Sequence, residues 1–117
     1  MILGLHTIIY SADAEADRAF FRDILGFPAL DAGEGWLIFA APPTELAFHP
    51  AEKNGKHEIC LMTDNVKAEI TRLTGKGILC SPIADRGWGV LTTVKLPGGG
   101  DPSLYEPRHP LAHGKKS

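Results

Sequence analysis

The chain has 117 residues, 44% of them hydrophobic, and 12 Lys plus Arg against 14 Asp plus Glu leave a formal net charge of −2. That length suffices for one core without disulfide or metal staples, and a near-neutral balance with no basic stripe gives nucleic acid or an anionic membrane surface nothing to hold. There is no run of roughly 18 apolar residues to span a membrane, the opening Met1-Ile2-Leu3-Gly4-Leu5-His6 lacks the basic region of a signal peptide, and Cys60 and Cys80, outside any CxxC, read as reduced thiols, so a cytoplasmic protein is expected.

Residues about 3–11 alternate with β-branched types, His6, Ile8 and Tyr10 on one face, and predict a strand. Ser11 and Asp13 are N-cap types, and Ala16, Ala19, Phe20 and Ile24 fall at helical spacing before Gly26, which predicts a helix over about 14–25. A short strand from Phe27 to Leu30, a turn at Gly33-Glu34-Gly35 and a strand from Trp36 to Ala40 follow. Pro42-Pro43 breaks that strand, and Glu45 to His49, ended by Pro50, is a fourth. The same order returns with a strand over His57–Thr63, a helix from about Val66 to Lys76, and strands at Leu79–Ile83, Val90–Leu96 and up to Glu106-Pro107. Pro97-Gly98-Gly99-Gly100-Asp101 leads into a strand rather than a helix, so it reads as a hairpin turn and not as a phosphate loop.

The two halves are copies. At an offset of 51 positions (57 − 6), His6 falls on His57, Ile8 on Ile59, Asp13 on Asp64 and Gly26 on Gly77. Aligning the prolines sets Leu46-Ala47-Phe48-His49-Pro50 on Ser103-Leu104-Tyr105-Glu106-Pro107. The expectation is one α+β domain over 1–110 built of two βαβββ modules, about 3–50 and 56–108, that pair into a half-open barrel, with 111–117 as a mobile tail. Four repeat-equivalent positions then carry His6, His49, His57 and Glu106, residue types that bind transition metals, and two imidazoles with one carboxylate leave open coordination positions for chemistry. Glu45, two residues before Ala47 on its strand, is the substitute donor if the register slips.

The openings Leu5-His6-Thr7-Ile8 and Lys56-His57-Glu58-Ile59, the helix ending Phe20-Phe21-Arg22-Asp23-Ile24-Leu25-Gly26-Phe27 and the ending Leu104-Tyr105-Glu106-Pro107 resemble the vicinal oxygen chelate superfamily of glyoxalases, extradiol dioxygenases, fosfomycin-resistance transferases and bleomycin-binding proteins. The resemblance runs from Leu5 to about His109. It implies a divalent ion (Fe(II), Zn, Mn, Ni or Co) on His6, His57 and Glu106, with His49 as a further candidate, and a small substrate that chelates the ion through neighbouring oxygens. It also implies a homodimer whose sites are shared between chains. His49 stands where glyoxalase-like members often have Glu or Gln, which leaves the ion more positive and favours dioxygenase-like or transferase-like chemistry over glyoxalase isomerisation. The alternative is a metal-free, bleomycin-resistance-type module that sequesters a drug, with Tyr10, Trp36 and Trp88 as walls. Trp88 in a glycine-flanked loop, Tyr10, Arg108 and His109 are the substrate-binding candidates, and Lys95 reads as an outward edge charge. No catalytic acid or base is assigned.

Overall fold

A computed structural model describes residues 6–48 and 50–112. In the first module, helix α1 (Ala14–Ala19) starts where Asp13 Oδ1 accepts from the Ala16 N–H, with Glu15 and Asp17 in its positive first turn. It continues as a π-helical turn over Phe20–Ile24, so the predicted helix has the expected extent but a wider last turn. Strands β1 (Ala29–Asp31) and β2 (Leu37–Phe39) form an antiparallel pair around the turn in which Glu34 takes φ 53° between two glycines.

In the second module, β3 (Cys60–Met62) leads to α2 (Val66–Gly75), which Asn65 caps through Oδ1 and the Ala68 N–H. The helix ends in a Schellman motif, with Ile78 N–H on Leu73 O and Gly77 N–H on Thr74 O, and Gly77 at φ 81° supplies the left-handed residue this needs. Strands β4 (Ala84–Asp85), β5 (Gly89–Thr93) and β6 (Ser103–Pro107) complete a four-stranded sheet of order β3-β6-β5-β4, with β3 parallel to β6 and the other pairs antiparallel. The strand expected at Leu79–Ile83 is reduced to a bridge between Cys80 and Val94. Pro82 has no N–H to give the ladder, and Ser81 Oγ takes the Thr93 N–H at 2.8 Å.

The buried apolar residues are Phe20, Val66, Leu73, Val94, Leu96 and Leu104. Phe20 thus carries the helix of module one into the core of module two. Two polar links fasten the same junction: Asp17 Oδ1 accepts from the Gly98 N–H at 2.7 Å, and Arg72 Nη1 donates to Ile24 O at 2.9 Å.

The outer strands expected in module one are not formed. Residues 6–10 and 45–48 belong to no sheet, and Ile8, Tyr10 and Phe48 are 60%, 92% and 90% exposed. Their alternation is that of strands, yet among the described residues no neighbouring strand pairs with them. The described part of the molecule is therefore α+β with two open sheets and no closed barrel.

Candidate functional site

Helix α2 lies against one face of the four-stranded sheet, since Val66 and Leu73 share a core with Leu104 and Val94. Side chains alternate along a strand, so Glu106 shares the face of Leu104, and Tyr105 belongs to the other. Glu106 Oε1 accepts from the Val66 N–H at 3.0 Å, satisfying one of the orphan donors that open α2.

That placement gives the Glu106 carboxylate a partner within its own chain. Cys60 pairs with Ser103 in parallel register, and the Ser103 N–H to Ile59 O bond extends the pairing one residue further back. In this register Met62 stands beside Tyr105, so Glu106 falls level with Thr63, beyond the end of β3, while His57 precedes its start. Ligand atoms of one ion must converge at about 2.0–2.2 Å from it. His6 and His57 are exposed, and among the described residues no three His, Cys, Asp or Glu side chains come together to hold a metal. His49 lies outside the described residues. Glu45, the substitute, accepts a hydrogen bond from the Ala112 N–H.

The face away from α2 gathers a different group. Across the strands, Met62, Tyr105, Leu91 and Ala84 stand in register. The Trp88 ring meets Tyr105 edge-on at 5.5 Å between centroids and 77° between planes, and the His109 ring lies at 6.0 Å from it. Tyr105 Oη is 3.3 Å from His109 Nε2, and His109 Nδ1 is 2.9 Å from Pro110 O. Burial, then the negative charge of Glu45, pushes the Tyr105 hydroxyl above its ordinary range, so the phenol stays protonated.

Local chain chemistry positions these rings. A Cβ on Gly89 would come within 3.1 Å of both the Tyr105 ring and Glu106 O, so glycine there leaves the tyrosine room to lie over β5 without displacement. Asp85 Oδ1 accepts from the Gly87 N–H at 2.9 Å and from Arg108 Nη1 at 2.8 Å, and Trp88 O accepts from the Arg108 N–H, which together hold the loop carrying Trp88. The same bonds keep Asp85 below the usual carboxylate range, the Gly87 N–H contributing most.

Of the substrate-binding candidates, Trp88 and His109 come together. Arg108 braces the loop against Asp85 instead, and Tyr10 does not join them: it is nearly fully exposed in the unpaired segment. Trp36 stands apart on module one, with the Arg18 guanidinium 4.9 Å above its ring. Lys95 is exposed, as expected, and reaches Gly99 O. Tyr105, Met62 and Leu91 were missed in the sequence. A depression of about 510 Å³ beside the start of α2 is bordered by Asp64, Asp85, Glu106, Lys67 and Arg108, but Glu106 and Asp85 are already committed to Val66 and Arg108.

No protein-family model matches this chain, and no curated protein does. Solved structures do. TnmS3, an antibiotic binding protein from Streptomyces sp. CB03234, matches at 22% identity over 92% of this chain and 99% of its own, with a TM-score of 0.64. A lactoylglutathione lyase from Agrobacterium tumefaciens matches at 20% identity over 90% and 94%, with a TM-score of 0.62. A glyoxalase/bleomycin resistance protein/dioxygenase superfamily member from Sphaerobacter thermophilus matches at 23% identity over 90% and 98%, with a TM-score of 0.59. The chain has the glyoxalase/bleomycin resistance protein/dioxygenase fold, that of the vicinal oxygen chelate superfamily.

Proposed function

We propose that this protein binds a planar, partly aromatic small molecule, of the kind an antibiotic-sequestering protein takes up, and does so without a metal. The observation that carries the reading is the division of β6: Glu106 is spent on the N-terminus of α2, while Tyr105, with Trp88 and His109, stands on the face away from the helix. Rings set at an angle offer apolar area and quadrupole complementarity to another ring, and a few convergent polar groups are what orient a ligand in such a site. Trp88, 53% exposed beside two glycines, has apolar surface left to cover. The fold alone does not choose, because it is shared with both an antibiotic binding protein and a lyase. The metal-dependent reading places His57 and Glu106 in one site; what favours the metal-free reading is that Glu106 Oε1 is engaged by the Val66 N–H.

The test is to strip the protein with a chelator and titrate it with aromatic antibiotics while following tryptophan fluorescence. Binding should be saturable and unchanged by the chelator. Binding or turnover that requires an added divalent ion would overturn the reading.

The working form is a homodimer. Ile8, Ile9, Leu30, Leu46 and Phe48 of module one are exposed together with two unpaired strand-like segments, a combination that a soluble chain normally covers. A second copy supplies matching strands. Sedimentation at micromolar concentration should give twice the chain mass of 12.6 kDa, and a monomer under those conditions contradicts the assignment.

A further inference from the structure

A carbonyl oxygen can only accept, so the 2.9 Å contact between His109 Nδ1 and Pro110 O makes Nδ1 the protonated nitrogen. Neutral His109 then presents an unprotonated Nε2, and Tyr105 Oη, 3.3 Å away, has to donate to it. A phenol has one proton. With that proton turned toward His109, the Tyr105 oxygen offers only lone pairs to anything resting on the sheet face.

We propose that the Tyr105–His109 pair makes the site selective for ligands that donate a hydrogen bond, namely hydroxyl- or amine-bearing planar aromatics, over ligands of the same shape that only accept. This rests on the small-molecule reading above and adds the polarity of the ligand. In the opposite arrangement, with the phenol proton facing outward, the site would accept ethers and ketones equally well. The bond from His109 Nδ1 to Pro110 O excludes that arrangement while the imidazole is neutral. Arg108, next in sequence to His109, donates through Nη1 to Asp85.

The probes are naphthol and methoxynaphthalene, which differ by one methyl group on the oxygen. At mildly alkaline pH, where an ordinary imidazole is neutral, calorimetric titration of the unmodified protein should show naphthol binding roughly tenfold more tightly, the scale of one good hydrogen bond. Tyr105→Phe should bring the two probes to equal affinity. His109→Phe releases the phenol proton, so methoxynaphthalene should gain on naphthol. Equal affinities in the unmodified protein, or a naphthol preference that survives Tyr105→Phe, overturn the proposal while leaving a small-molecule site in place. If neither probe binds the folded, unmodified protein, the small-molecule reading falls and this inference falls with it.

Discussion

Replacing Phe20 by alanine should destabilise the protein by about 3–5 kcal/mol, the usual cost of truncating a buried phenylalanine, and should be measured by urea unfolding. Phe20 is 2% exposed and belongs to a small core that is otherwise supplied by module two. It also meets Phe21 edge-on at 5.6 Å, and Phe21 in turn meets Phe27 and Phe39, so one ring links β2 and the first helix to the second sheet. Against a typical domain stability of about 5–15 kcal/mol, the loss is a large fraction. A change below about 1 kcal/mol, the scale of an ordinary surface substitution or less than one buried methylene group, would mean that the modules are not joined through this residue.

Glu106→Ala should cost about 1–2 kcal/mol, because it removes the acceptor of the Val66 N–H at the start of α2. Glu106→Gln keeps a carbonyl acceptor in the same place and should recover most of that loss. Neither substitution should change the affinity for an aromatic ligand, since the side chain is on the helix-covered face. A metal ligand would behave otherwise: both variants would lose function, and stability would change little.

The modular plan was legible because the repeat places like on like, and helix boundaries were legible because Asp13 and Gly77 carry local chemistry that acts within a few residues. The facing of β6 was not. Ser103-Leu104-Tyr105-Glu106-Pro107 has a large side chain on each face, Leu104 on one and Tyr105 on the other, so alternation defines two faces without saying which is inside. The packing of Val66 and Leu73 against Leu104 decides it, and that is a long-range contact. Once decided, every neighbour follows: Glu106 falls on the helix-covered face and Tyr105 on the other. The unpaired segments of module one have a related cause: alternation marks a strand, but whether it finds a ladder partner depends on what else is present.

The most direct measurement follows the two tryptophans. Trp88 belongs to the proposed site and Trp36 stands apart under Arg18, so their indole N–H resonances in a nitrogen-15-labelled protein are a probe and its own control. During titration with naphthol in the presence of a chelator, the Trp88 indole and the His109 ring signals should shift together and saturate, while the Trp36 indole stays in place. Shifts confined to His6 and His57, appearing only when zinc is added, would contradict the account.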